Sequence, residues 1–356
     1  MTIIDWHIVK RLASKISLVV LIFYGLIGLT ESLDTWRFTL LSQAQGQSVA
    51  IMSIFASAAR WSIKVLPITV LIGSIIAILD LQAHRELIII KSNKISIWRI
   101  LFAPIIFLLI ISFSVSIFLD AKVTQINRSI MPAPLTTSPT IGANKQVWLV
   151  QYSQNERYIL QGEKSGSAIN ILQNVTVFFG ADNKYNRIIA ESATMVDKAW
   201  QLNDVILFSA NKQPTKIKNY NIETKSTVSE LVLKLSSTDD FTFFELKNSL
   251  VSGISDPLAQ AAAATRYAKL MAFPFLLVGS LLIAFAFSSN YKRNGSYANA
   301  ILTGIVLGFV VFILTEMADR AGASGILNPL VAGWGPSIIA IIIGVTILLY
   351  KEDGLA

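Results

Sequence analysis

The 356-residue chain is predicted to be a membrane α-helical protein of six transmembrane helices with one inserted all-β, jelly-roll-like domain, and three observations predict it. AVILMFWYC make up 53% of the residues and charged residues 15%, against about 25% charged in soluble domains. The apolar excess falls in blocks: 15 uncharged residues separate Lys15 from Glu31, 20 separate Arg99 from Asp120, and 22 separate Lys269 from Lys292. At about 1.5 Å per helical residue, such blocks approach or match the roughly 30 Å hydrocarbon layer. Between Asp120 and Thr265 the pattern changes to short alternating runs, the period of half-buried strands.

Taken in order, the spans fall at roughly 16–33, 62–80, 100–119, 270–289, 299–318 and 334–350. The first has a basic flank but no small-x-small cleavage site after it, so it reads as an uncleaved anchor. One side of the membrane then receives Lys10, Arg11, Lys15, Arg85, Lys91, Lys94, Arg99, Lys292, Arg293 and Lys351, ten cations in all. The other side receives six: Arg37, Arg60, Lys64, Arg266, Lys269 and Arg320. The larger count marks the cytoplasm, so both termini are expected there and residues 120–265 outside it. The chain thus divides into 1–119, 120–265 and 266–356.

Within 120–265, strands are expected at Gln146–Tyr152, Arg157–Gln161, Ile169–Phe179, Asn186–Val196 and Trp200–Phe208, separated by turn clusters at 153–155, 162–166 and 180–184. Successive strands with short turns and no intervening helix imply antiparallel pairing in a sandwich or jelly roll. Met131-Pro-Ala-Pro134 through Ser138-Pro139 marks the linker leaving the third span. Helices at Phe241–Leu246 and Ala261–Ala264 are expected to return the chain to the membrane. Trp148, Tyr158, Phe178, Phe179 and Trp200 read as core, although an open jelly roll would turn the same inward face toward acyl chains.

The composition removes whole classes of chemistry. Without Cys there is no disulfide, thiolate nucleophile or zinc-thiolate site, and His7 and His84 stand 77 residues apart. No catalytic, cofactor-binding or metal-ligating residues are therefore expected; Asp239 and Asp240 have no accompanying constellation. Residues 120–265 carry 14 Lys+Arg against 13 Asp+Glu, so almost all of the net +8 belongs to the membrane part. That distribution orients helices rather than gripping nucleic acid, which calls for cations on one soluble face. A phosphate-cradling G-x-x-x-x-G-K-[ST] motif is absent, so any ATP hydrolysis has to come from a partner.

Three groups of residues could carry function. Between spans two and three, about 83–93, Arg85, Glu86, Leu87, Ile88 and Lys91 form a short amphipathic helix ending near Asn93. It is either a charged interfacial loop or a docking helix whose apolar side chains enter a partner's groove, with Glu86 pairing at the rim. Arg60, Lys64, Arg266 and Lys269 gather where spans two and four meet the outer surface. They either snorkel to headgroups or hold the phosphates of a lipid. Glu31, Asp34, Glu316 and Asp319 stand at the outer ends of spans one and five, either solvated or paired with Arg37 and Arg320 to hold helices at a gate.

In this order, Arg85-Glu86-Leu87 through Ser92-Asn93, Phe243-Phe244-Glu245-Leu246, Lys269-Leu-Met-Ala-Phe-Pro274 and Gly325-Ile-Leu-Asn-Pro329 through Ala332-Gly-Trp334-Gly-Pro336 resemble the LptF/LptG family, over nearly the whole chain. These are the permease subunits of the lipopolysaccharide export ABC transporter. Tyr350-Lys-Glu-Asp-Gly354 looks more like the LptG type. The resemblance implies a Gram-negative inner-membrane protein that extracts lipopolysaccharide. Its implied partners are a paralogous LptF-like permease, an LptB-like cytoplasmic ATPase dimer docked near Glu86, and LptC/LptA-like periplasmic jelly-roll bridge proteins. Relatives commonly have Gly at the position of Asn93 and a basic outer end of span one, where this chain has Glu31 and Asp34. The phosphate-binding expectation therefore rests on Arg60, Lys64, Arg266 and Lys269. Two other readings are an LptF-type subunit and a non-transporting scaffold or sensor with a periplasmic β binding domain.

Overall fold

The computed structural model describes residues 3–92, 96–130, 146–153, 157–164, 170–180, 186–209, 212–226, 231, 238–254, 256–288 and 297–352. The linker at 131–139, turn residues 154–155, 165–166 and 181–184, the loop residues Asn93 and Lys94, Lys292 and Arg293, and Gly354 lie outside them, as do the side chains of Leu87, Ile88, Lys91 and Lys351. The chain forms two compact units: a helical one of Met1–Ile130, Phe241–Leu246 and Ala264–Ala356, and a β one of Met131–Asp240 and Lys247–Ala263.

The helices before the β unit are α1 (Ile3–Ser32), α2 (Thr35–Gln45), α3 (Gln47–Lys64), α4 (Leu66–Ala83), α5 (Glu86–Ser92), α6 (Ile97–Ser114) and α7 (Asp120–Ile130), with a π-helical turn Val115–Leu119 joining the last two. After it come α8 (Phe243–Ser252), α9 (Pro257–Ser288), α10 (Tyr297–Ala323) and α11 (Pro329–Glu352). Ile4–Ser32, Leu66–Ala83, Ile97–Ile130, Pro257–Ser288 and Pro329–Tyr350 are long and apolar enough to cross a membrane. These answer five of the six expected spans, and α10 is helical over the remaining one.

The first, fourth and sixth spans begin earlier than expected, at Ile4, Pro257 and Pro329, and two further boundaries differ for local reasons. The second span starts at Leu66 rather than 62, because Val65 breaks the helix (φ −90, ψ 4) and Pro67 sits in the next helix's first turn, where the missing N–H costs nothing. The third continues to Ile130, so 120–130 belongs with the helices rather than with the β unit.

The helical core is built on α4 and α9, where Leu71, Ile75, Ile78, Leu277 and Leu281 are buried with Leu101 of α6. Such all-round apolar helices sit at the centre of a bundle. Small residues set the spacing between α9 and α11: a Cβ on Gly333 would lie 2.6 Å from Ala268 Cβ, and one on Gly344 would lie 2.6 Å from Leu282 Cβ. In lipid, where burial gives helices no net drive to associate, such backbone-close packing supplies the attraction.

The β unit holds β1 (Gln146–Tyr152), β2 (Arg157–Lys164), β3 (Ile171–Phe179), β4 (Arg187–Val196), β5 (Ala199–Ser209) and β6 (Lys212–Glu223). All pair antiparallel in the order β1-β2-β3-β4-β5-β6. Instead of two facing sheets, the described strands make one meander whose ends meet: Lys225 N donates to Tyr152 O at 2.8 Å and Thr224 Oγ1 to Gln151 Oε1 at 2.6 Å. The sixth strand was not expected, since Pro214, Lys216 and Lys218 give it the polar, interrupted face of a sheet edge.

Inside the curve lie Tyr158, Leu160, Leu172, Val177, Ile188, Trp200 and Leu202. Burial pushes the Tyr158 phenol up to about 12, and its hydroxyl donates to Glu223 O at 3.3 Å. The five aromatic residues read together as core divide here. Trp148 is 59% exposed and stacks on Phe178 on the outer face.

The return helix α8 begins with a reciprocal cap: Thr242 N donates to Glu245 Oε2 at 2.9 Å, and Glu245 N to Thr242 Oγ1 at 3.4 Å. The Glu245 carboxylate also takes both Arg128 Nη groups at 2.9 Å. The Arg128 hydrogen bonds are the main reason its pKa falls from 4.5 to about 2, helped by Thr242 and opposed by partial burial. A carboxylate depressed on folding stabilises above its unfolded pKa and loses that contribution as pH falls through the folded one. Glu245→Gln should therefore flatten the acid limb of stability below about pH 4.5. Because the pair is half-exposed, its charge contributes at most about 1 kcal/mol; unfolding midpoints from pH 7 down to 3 measure it.

Candidate functional site

All four cations expected to form a ring line one cavity at the end of the helical unit opposite the chain's N-terminus, with Asp120, Glu316, Phe273 and Phe312 among its other walls. Its interior measures about 50 Å³. Arg60 and Lys64 stand one turn apart on α3, and Lys64 Nζ lies 5.0 Å over the Trp61 ring.

The π-helical turn sets the wall facing α9. Ser116 Oγ donates to Leu270 O at 2.6 Å, and Asp120, four residues on, accepts from Arg266 Nη2 at 3.2 and 3.3 Å. Arg266 and Leu270 are likewise four apart, so two one-turn steps meet in register. Ser116, Asp120 and Arg266 are all buried, and π-turns inside helices often mark functional sites.

Lys269 Nζ lies 2.6 Å from Asp319 Oδ2 and 3.4 Å from Glu316 Oε1, tying α9 to α10. The two acids therefore pair with Lys269 and not with Arg320, which is exposed. Adjacent residues on a helix point about 100° apart, so Asp319 and Arg320 do not face each other. Among the described residues, Arg266 and Lys269 of the expected ring are held by three carboxylates, those of Asp120, Glu316 and Asp319.

At the end of α1, Glu31 pairs with Arg37 at 3.1 Å, as one of the two readings had it, and Arg37 also donates to Ser57 Oγ at 3.1 Å. Asp34 is exposed just before α2 and makes no side-chain cap.

At the opposite end, α5 is shorter than the expected 83–93, because α4 runs to Ala83 and Arg85 takes φ 59 in the turn between them. Glu86 Oε1 lies 2.9 Å from Arg11 Nη2, and its Oε2 lies 3.0 Å from His7 Nε2. Arg11 Nη1 is also 3.3 Å from Asp80 Oδ2. The outward surface of α5 presents Ile89, 59% exposed.

The sequence profile of the lipopolysaccharide export system permease LptF/LptG matches residues 6–350. The chain belongs to the LptF/LptG family. No curated protein matches it.

As an LptF/LptG member, the chain is a membrane permease subunit of a bacterial inner-membrane lipopolysaccharide export system and not itself an enzyme. Sequence reasoning missed Ser116 and Asp120 in this LptF/LptG chain, treating Asp120 as a domain boundary. Its usable signal was a carboxylate one helical turn beyond Ser116, directly ending a 20-residue uncharged block.

Proposed function

We propose that the chain is the LptG-type permease of an ABC transporter that withdraws lipopolysaccharide from the outer leaflet of the inner membrane. An LptF-like paralogue would complete the membrane portion, and an LptB-like ATPase dimer docked on α5 would supply the energy. The β unit, on the periplasmic side, would pass lipid to LptC/LptA-like bridge proteins, with both chain termini in the cytoplasm. The closing Tyr350-Lys-Glu-Asp-Gly354 run supports the LptG type.

The observation that carries this reading is the cavity, in which Arg60 and Lys64 stand beside Phe273, Leu276 and Phe312. Cations against an apolar wall suit a phosphorylated lipid, because charge-assisted bonds to phosphate strengthen where water is partly excluded. Arg266 and Lys269, held by carboxylates, position that wall beside Arg60 and Lys64. Glu31, Asp34, Glu316, Asp319 and Arg320 keep the part of gate residues at the outer ends of α1 and α10.

In the complex reconstituted with its ATPase and paralogue, Arg60→Ala/Lys64→Ala should raise the lipopolysaccharide concentration for half-maximal stimulation of ATP hydrolysis about tenfold or more, the equivalent of one charge-assisted bond. An unchanged curve would remove the phosphate site. Purification with neither ATPase nor paralogue would instead favour a scaffold.

A further inference from the structure

His7, Arg11 and Lys15 follow one another at four-residue steps along one stripe of α1. That stripe meets the end of α4 and the start of α5. Arg11 bridges Glu86, at 2.9 Å, and Asp80, at 3.3 Å; His7 holds the other Glu86 oxygen at 3.0 Å. Lys15 Nζ lies 3.7 Å from Asp80 Oδ2, and His84 Nδ1 lies 2.8 Å from Asp80 O. Both histidines of the chain thus sit in one charge network, though 77 residues separate them.

The arrangement gives Glu86 an inward task. Its side chain is 28% exposed, whereas Ile89 on the same short helix is 59% exposed. Covalently, α5 hangs from α4 through a two-residue turn with Arg85 in the left-handed region, so no continuous helix fixes its direction. The bonds from Glu86 to α1 do so, together with Ile90, which packs against the helical core. At about 1.5 Å per residue, α1 is a rod roughly 45 Å long, and its far end is pinned through Glu31 to Arg37, which also holds Ser57.

We propose that Arg11, with His7 beside it, is the positioning residue through which a displacement of α5 is carried into α1, and that Glu86 is its partner in that link rather than a contact to the docked protein. This rests on the reading that α5 docks the ATPase. Ile89 then meets the ATPase, and the Glu86 carboxylate transmits the motion to the rod.

The test uses the whole complex in proteoliposomes and reads two quantities, the ATPase that copurifies and the lipopolysaccharide released per ATP hydrolysed. Arg11→Met and Glu86→Gln should each leave the ATPase bound and lower release per ATP about tenfold. The double variant should lose no more than either single one, because the two act through one bond; Arg11→Lys should keep most of the coupling.

Since the chain has no native Cys, a His7→Cys/Glu86→Cys pair can be joined cleanly by a cleavable bis-maleimide. Joining should restore release and cleavage should abolish it. Losing the ATPase with Glu86→Gln but not with Arg11→Met would make the carboxylate a docking contact and overturn the link while leaving docking intact. Full coupling in both single variants, or no recovery on joining, would also overturn it. Ile89→Asp should release the ATPase; an ATPase still bound would overturn the docking reading and the link with it.

Discussion

Asp120→Ala should destabilise the helical unit by about 3–5 kcal/mol, the range for removing one member of a buried ion pair. The carboxylate and the Arg266 guanidinium have side chains 8% and 9% exposed and lie 3.2 Å apart. Deleting the acid removes the charge that Arg266 faces at a largely buried position. Asp120→Leu/Arg266→Met should recover most of the loss, since an apolar pair of similar size spares the desolvation of both charges. Thermal unfolding of the detergent-solubilised protein measures both variants. If Arg266 were chiefly a lipid ligand, the Ala variant would unfold like the native protein and bind lipopolysaccharide more tightly, and the positioning role assigned to Arg266 would fall.

That pair shows where sequence reading reached and where it stopped. The blocks ending at Glu31, Asp120 and Lys292 were legible as spans because hydrocarbon thickness imposes a length that few other constraints imitate. β1 to β5 were legible because their alternation reports a single buried face, whereas β6 presents Pro214, Lys216 and Lys218 to solvent and turns only Tyr220 and Ile222 toward the core. The four cations were placed in one region by topology alone, and they do share a cavity. Their partners were not legible. Lys269 meets Asp319 across 50 positions and Glu86 meets His7 across 79, and no local period reports which helix faces align. Where only local neighbours could be weighed, Arg320 stood next to Asp319 in sequence but on another side of the helix.

Trp200→Ala should cost the β unit about 3–5 kcal/mol, the range for deleting a large core aromatic. Trp200 is fully buried, pairs with Met195 on β4 and Ile222 on β6, and sits in the part of the sheet where the first and last strands come together. Its Nε1 has no hydrogen-bond partner among the described residues. Trp200→Phe should therefore cost only about 1 kcal/mol, because removing an unpaired buried N–H, itself a penalty of about 1–3 kcal/mol, offsets part of the lost packing. Trp148→Ala is the control: its ring stacks on Phe178 at 6.1 Å but faces outward, so the loss should stay near the 0.5–1.5 kcal/mol of an aromatic pair. Amide hydrogen exchange reads the three variants strand by strand. Trp200→Ala should open β4, β5 and β6 together while α4 and α9 keep their protection, since each unit has a core of its own. Equal losses from Trp148→Ala and Trp200→Ala would mean that the two faces of the sheet are buried alike, and the inward curve assigned to the meander would be wrong.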